Sequence, residues 1–369
     1  MTAESGAQAA QGGLAQGTHR AATILHISDL HFGWGFSEDL WQGLCDLAAG
    51  EIKPDLVIAT GDFVHSPFRW RLATARKGLQ GLQDQIRHAN AACQIIAVAG
   101  NHDTRIQGLL PVRWILPVLL ALVLLAGLIG WWVANFQWLV WVLVGAIVLW
   151  GVSYACLGNI TTALSEFMLS DPKPYPELGL MVFPFDSASL SIRAACGKVP
   201  REQFLKAQTS QSQEFLYRIA ILHHHPLPIP YDDAQEDMLI LHNAGAFLQE
   251  MSKRQVRLIL HGHKHHHCFS RVTINAGTEK AFEVGVLAAG TPSAGKRPGR
   301  SGYHFNVLRL DPEGNLAVTP YTALDGAFEA GEAFFVEGRE LGTKRMYEQN
   351  RAVTGRCCAS VVSIRKISP

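Results

Sequence analysis

Gly100-Asn101-His102-Asp103 puts an amide, an imidazole and a carboxylate side by side at the end of the apolar run Ile95 to Ala99. Alone, three such residues also suit an ordinary turn. Four further groups repeat the arrangement: Asp29-Leu30-His31, Gly61-Asp62, His223-His224-His225-Pro226 and Gly262-His263-Lys264-His265. Each closes its own apolar run, respectively Thr23 to Ile27, Leu56 to Thr60, Ile219 to Leu222 and Val256 to Leu260. Histidine and carboxylate donors without thiolate suit borderline divalent or trivalent metals such as Mn, Fe, Zn or Co. Asp-x-His and His-x-His at a strand end can splay toward one site, and a carboxylate such as Asp62 can bridge two cations. Two cations so held polarise a phosphoryl oxygen, lower the pKa of a bridging water and keep attacking and leaving oxygens in line. That chemistry hydrolyses phosphate esters.

The elements around these groups must deliver them to one place. Short β-branched runs ending in glycine or polar residues read as buried strands spilling into loops. Between them, residues 38 to 50 carry Leu40, Trp41, Leu44, Leu47 and Ala48 at helical spacing, closed by Gly50. Residues 71 to 90 read as a second amphipathic helix, and Cys93 to Ala99 as the third strand. Strand, helix, strand, helix, strand indicates an α/β layered fold with parallel pairing. Later, 180 to 186, 189 to 192 and 219 to 222 read as strands, with helices over 201 to 216 and 239 to 252. Val272 to Asn275, Phe282 to Leu287, His304 to Leu310 and Leu316 to Tyr321 are strand-like and expected to form a second sheet. Residues 1 to 22 are Ala/Gln/Gly-rich with no signal-peptide core and are expected to be a disordered lead. Residues 322 to 369 carry no recognisable chemistry.

Bulk composition narrows the class. With 369 residues, the chain holds 32 basic and 31 acidic side chains, so no basic field argues for a nucleic-acid partner. Seven cysteines without C-x-x-C spacing fit neither a disulfide scaffold nor a zinc ribbon, and suit a reducing compartment.

One stretch breaks the α/β pattern. Residues 114 to 134 contain no charged or polar side chain, and 136 to 157 repeat this with Gln137 and Ser153 as the clear polar exceptions. As helices each would be roughly 30 Å long, the thickness of a bilayer core. Six of the nine tryptophans lie here, grouped at the ends as in an interfacial belt. A soluble hairpin would need a polar face, which these runs lack. Residues 111 to 158 are therefore expected to form a two-helix transmembrane hairpin, partnered by the lipid bilayer through 114 to 157. Arg105 and Arg113 before it put the catalytic body in the cytoplasm by the positive-inside rule.

Taken together, the five blocks resemble the calcineurin-like metallophosphoesterase superfamily, whose ordered signature is Asp-x-His, Gly-Asp, Gly-Asn-His-Asp/Glu, His and Gly-His-x-His. The resemblance covers residues 23 to 321 outside the hairpin, in two parts, 23 to 110 and 159 to 321. It implies a four-layer αββα sandwich with two metal ions at the strand ends. Asp29, His31 and His265 would hold one metal, Asp62 would bridge, and Asn101, His223 and His263 would hold the other, with His224 as the rival of His223. His102 would contact the phosphate and assist the leaving oxygen, and Asp103 would orient it. His225, His261, His266 and His267 would be supporting or surface groups, His65 a substrate contact or a plain loop residue, and Lys264 exposed. Leu222 to Pro228, Asn243-Ala244 and Gly290 to Ser293 look like the class III cyclic-nucleotide phosphodiesterase branch. The hairpin, placed directly after Gly-Asn-His-Asp, departs from that branch.

The expected activity is a membrane-anchored dinuclear phosphoesterase that cleaves a phosphodiester or phosphomonoester by attack of a metal-bridging hydroxide, cyclic nucleotides being candidates. One alternative keeps the chemistry on a lipid-linked phosphate or pyrophosphate; another is a metal-binding membrane sensor or scaffold without turnover. The oligomeric state is open.

Overall fold

The computed structural model describes residues 19–33, 35–104, 156–188, 195–208, 215, 217–227, 239–294, 302–323, 326–336 and 361–364, with isolated positions at 121, 125, 127, 145 and 148. Parallel strands β1 (Ala22–Ile27), β2 (Leu56–Ala59) and β3 (Gln94–Ala97) lie side by side in chain order. Helix α1 (Glu38–Leu47), capped by the Ser37 hydroxyl and followed by a wide turn at Ala48–Ile52, links the first pair. Helix α2 (Arg69–Ala89) links the second. Short α3 (Ile160–Ala163) and edge strand β4 (Lys173–Tyr175) lead to the other sheet. There β5 (Leu180–Pro184), β6 (Tyr217–Ile221) and β7 (Leu258–His261) run parallel, with α4 (Arg201–Gln208) and α5 (Ala244–Lys253) between them. β8 (His267–Ile274) and β9 (Phe282–Ala289) complete it as an antiparallel pair beside β7.

Alternation along the strands builds the layers. Ile24, Leu56, Ile58, Ile219, Ile221, Leu258 and Leu260 meet between the sheets in one core. Their neighbours Leu25, Val57 and Ala59 face outward onto Leu44, Leu72 and Leu79 of α1 and α2. On the other side Ala220, Leu222 and Ile259 face Phe247, Leu248 and Met251 of α5. Where a strand is covered on both faces throughout, as in β2 and β5, it reads in sequence as a continuous apolar run.

Several expectations change. β10 (Tyr303–Leu310) and β11 (Leu316–Ala323) join the first sheet, β10 pairing antiparallel with β1, instead of the second. Their pattern specifies strands, but the pairing partner lies almost the whole chain away. Beyond residue 322, β12 (Glu329–Ala330) and β13 (Phe334–Phe335) pair with β11, and β14 (Val361–Ile364) pairs with β8. At the start, residues 19 to 22 are not disordered: Arg20 pairs with Asp55 at 2.7 Å and β1 begins at Ala22. α5 starts at Ala244, since Leu241 is instead bridged to Gly197. The strand expected at 189 to 192 and most of residues 105 to 155 lie outside the described residues. The five described positions within 105 to 155 are helical, and the apolar side chains of Leu125 and Val148 are exposed. Among the described residues no helix is long and apolar enough to cross a membrane.

Candidate metal centre

The five sequence blocks leave the C-terminal ends of β1, β2, β3, β6 and β7, and backbone hydrogen bonds lock their loops together. The amides of Asp29, His31 and Phe32 donate to the carbonyls of Gly61, Asp62 and Phe63, prolonging the β1–β2 pairing past both strands. Gly262 donates likewise to the His223 carbonyl at 3.1 Å. The approach is close: a Cβ on Gly61 would lie 2.6 Å from the Gly100 nitrogen and 2.8 Å from the His223 Nδ1. Asp29, His31, Asp62, His263 and His265 all adopt positive φ, between 49° and 79°. For residues other than glycine that conformation costs about 1 to 3 kcal/mol each and persists only where the surroundings hold it.

Among the described residues three groups of donor atoms result; one is His31 with His65 and His102, and the other two hold the ligands expected from sequence. Asp29, His31 and His265 form the first, with His31 Nε2 3.0 Å from His265 Nε2 and His265 Nε2 3.4 Å from the Asp29 carboxylate. Asp62, His223 and His263 form the second. His223 Nε2 lies 3.3 Å from Asp62 Oδ2, 3.2 Å from His263 Nδ1 and 3.0 Å from Asn101 Oδ1. Asp62 stands between the clusters, its Oδ2 also 3.8 Å from His31 Nε2.

These donors fit divalent cations. Two imidazole nitrogens ~2.0–2.1 Å from one ion and at right angles about it lie ~2.9 Å apart, close to the separations found in both clusters. The Nδ1–H of His223 donates to the Thr60 carbonyl at 2.7 Å, which leaves Nε2 as the lone-pair nitrogen facing the cluster. Both Asp29 oxygens accept the His263 amide, at 2.9 and 3.1 Å, which fixes that carboxylate.

Charge is distributed unevenly. Burial opposes the charge on His223, but the Asp62 and Asp29 carboxylates and the Thr60 carbonyl outweigh it and raise its pKa to about 9. Burial also acts against Asp62, yet His223, His102 and His31 hold it well below the usual carboxylate range. Burial lifts Asp29, with His265 and His223 pulling the other way. His31 and His263 are kept neutral by burial first and neighbouring imidazoles second. Without a cation, the second cluster thus carries its positive charge as a proton on His223.

The remaining sequence candidates separate clearly. His224 lies beside the second cluster, its ring 4.6 Å from that of His263; its Nδ1 meets the Ser187 hydroxyl at 2.8 Å, and that hydroxyl accepts the His224 amide. His102 sits at the rim, its ring edge-on to His31 at 5.0 Å and stacked with His65 at 5.4 Å. Asp103 does not reach the His102 ring; its oxygens accept the amides of Gly100 at 2.9 Å and Val64 at 3.2 Å. The His65 carbonyl instead accepts the His102 Nδ1–H at 3.0 Å. Burial and Asp62 push the Asp103 carboxyl up to about 8. Lys264, expected to be exposed, is only 7% accessible and its Nζ has no hydrogen-bond partner. The cause is its place between His263 and His265, whose left-handed backbone folds the loop inward. His225 and His261 are buried, whereas His266 and His267 are partly so. Thr60, Ser187 and the His65 carbonyl act on ring orientation and were not singled out from sequence. Thr60 alone carried a signal, as the last residue of a strand run ending in Gly61-Asp62.

Comparison with known proteins gives a family and a fold. The family model for calcineurin-like phosphoesterases matches residues 22–267, more than half of the chain. No curated protein matches the chain. Among solved structures, a purple acid phosphatase from yellow lupin seeds is similar at 11% identity and a TM-score of 0.50, over 86% of this chain and 54% of that one. This chain thus spans about half the length of the phosphatase, and the likeness is one of fold. The anchor protein of the Plasmodium inner membrane complex is similar at 11% identity and a TM-score of 0.46, over 95% and 99% of the two chains.

Proposed function

The chain belongs to the calcineurin-like phosphoesterase family, a family of metal-dependent phosphohydrolases, and we propose that it hydrolyses a phosphodiester or phosphomonoester while anchored in a membrane. What carries the reading is the meeting of Asp29, His31 and His265 with Asp62, Asn101, His223 and His263 on either side of one carboxylate. Those seven residues would hold two cations, which when bound supply Lewis acidity and a nucleophile drawn from water at neutral pH.

The chain's own groups then bind and orient the ester. A carbonyl can only accept, so the His102 Nδ1 facing His65 carries a proton, and Nε2 is the position that exchanges one with the substrate. Protonated there, His102 neutralises the leaving oxygen. The His102 amide donates to Asp62 Oδ1 at 2.8 Å, tying this loop to the bridging carboxylate. Asp103 holds the same loop through Gly100 and Val64, and acts on His102 only by fixing its backbone.

Membrane anchoring is supported by the uncharged runs 114–134 and 136–157 and by the exposed helical Leu125 and Val148 within them. Asp103 to Trp114 is eleven residues, at most roughly 40 Å of extended chain, so the centre works within that reach of the bilayer. Arg105 and Arg113, before the apolar runs, support a cytoplasmic side for it. Residues 222–228 favour a cyclic nucleotide as substrate by their likeness to the class III branch. The short tether favours a second reading, a lipid-linked phosphate or pyrophosphate.

The test is a panel of bis-p-nitrophenyl phosphate, cyclic AMP and a lipid pyrophosphate on membrane-embedded protein, with Mn²⁺ or chelator, beside Asn101→Ala. Metal-dependent turnover, abolished by chelator and in the variant, is expected, and the preferred ester chooses between the readings. Bound metal with no turnover on any ester would make the protein a sensor.

A further inference from the structure

The chain returns from residues 105–155 against the start of α2. The Arg69 amide donates to the Cys156 carbonyl at 3.1 Å and its Nε to the Leu157 carbonyl at 3.4 Å. Gly158 donates to the Pro67 carbonyl at 2.7 Å, and Phe68 bridges Leu157. The first turn of α2 is thus tied to the foot of the apolar run.

That turn has an unusual outer surface. Trp70 is 56% exposed, its ring stacked on Phe68 at 4.5 Å with planes 10° apart, and the Arg71 guanidinium lies 5.6 Å from the Phe68 centroid. Of the five large apolar side chains that stand exposed among the described residues, Leu125 and Val148 belong to the apolar run and Trp70 adjoins it. The first turn of α2 has no acidic residue and carries Arg69 and Arg71 instead. Helix N-termini favour anionic groups, so two arginines there oppose the helix dipole and call for an anion outside the chain. An amphipathic ring beside cations, next to a bilayer-length apolar run, is the composition that seats in lipid headgroups.

We propose that the first turn of α2 lies on an anionic bilayer surface, with Trp70 in the interface and Arg69 and Arg71 on lipid phosphates. The inference rests on reading residues 114–157 as membrane-spanning and adds to it which face of the body the bilayer covers. His65 precedes this turn by four residues and faces Arg71, so the rim of the metal centre borders the covered face.

The test uses the full chain with Cys156, Cys357 and Cys358 changed to serine; the described Cys45, Cys93, Cys196 and Cys268 are buried from label. A bimane is attached at Thr74→Cys, one turn beyond Trp70, or at Leu205→Cys on α4 in the opposite outer layer. The protein is reconstituted in vesicles of brominated phosphatidylcholine, with or without phosphatidylglycerol. Quenching at position 74, stronger with phosphatidylglycerol, absent at 205 and lost on adding Trp70→Ala and Arg71→Ala, is expected. Unquenched label at 74 on protein that stays in the vesicles through an alkaline carbonate wash overturns the docking surface and leaves the anchor standing. Release of the protein by carbonate overturns the anchor and the docking surface with it.

Discussion

The two halves of the centre are equally buried, each with one partly accessible imidazole, His265 beside Asp29 and His31, or His263 beside Asp62, His223 and Asn101; they differ in charge. The same residue types therefore start from different states. On the His31 side that buried imidazole is neutral and ready to donate; on the His223 side His223 must first give up a proton that two carboxylates hold. Two cations bound by one fold need not bind alike, and the carboxylates around His223 make its side the pH-dependent one.

Asp62 is the one group both halves share, so changing it erases the comparison. Asp62→Ala is expected to weaken both cations by more than the roughly 10–100-fold that follows loss of a group merely supporting a ligand. Isothermal titration with Mn²⁺ checks this; loss confined to one binding event would show that Asp62 does not bridge. Asn101→Ala should weaken only the event on the His223 side.

Titration at several pH values sharpens the contrast. His223 is protonated below about 9, and a cation has to displace that proton. Affinity at the His223 side should thus fall about tenfold for each unit of pH below 9, a slope that the neutral His31 does not add on its own side. Two binding events with equal pH slopes would contradict the assignment.

A further outcome concerns the metal-free fold. Burial keeps His26, His31, His224, His225, His261, His263 and His267 neutral, with His261 lowered to about 4 and His225 to about 2. Unfolded, each would titrate near 6.5, so below that pH the unfolded chain binds more protons and stability falls. Asp103, raised to about 8, works oppositely: its unfolded carboxyl ionises first, which costs stability as pH rises from about 4 to 8. The imidazoles outnumber it. The melting temperature of chelated protein should drop between pH 6.5 and 4, and a flat or rising profile would show that these rings are hydrated.

The smallest effect is expected at Lys264. Its Nζ is buried without a hydrogen-bond partner, so Lys264→Met should stabilise the metal-free protein by about 1 kcal/mol, read as a higher urea midpoint. A lower midpoint would mean that an anion or water already serves it.

How far the sequence could be read depended on range. Ile24 to Ile27, Leu56 to Ala59 and Leu258 to Leu260 were legible as strands because both faces are covered and every position but His26 is apolar. Grouping their terminal residues needed only the rule that parallel strands end on one side. By contrast, the pairing of Ile24 with Leu308 is non-local, and nothing along Tyr303 to Leu310 names its neighbour. Orientation of rings was least legible. That Ser187 takes His224, and that the His65 carbonyl, not Asp103, takes the His102 ring, follows from loop geometry that residue types do not encode. The inward turn of Lys264 likewise depends on backbone conformation on either side.

The left-handed backbone at Asp29, His31, Asp62, His263 and His265 also limits how this centre could change over evolutionary time. Aspartate, asparagine and histidine tolerate that conformation far better than β-branched or bulky residues. The chain geometry thereby acts as a filter on donor chemistry, admitting short oxygen and nitrogen ligands before any metal arrives. Drift in cation preference is accordingly channelled into the imidazole-to-carboxylate ratio at these positions, with the hydrogen-bonded loop frame left unaltered.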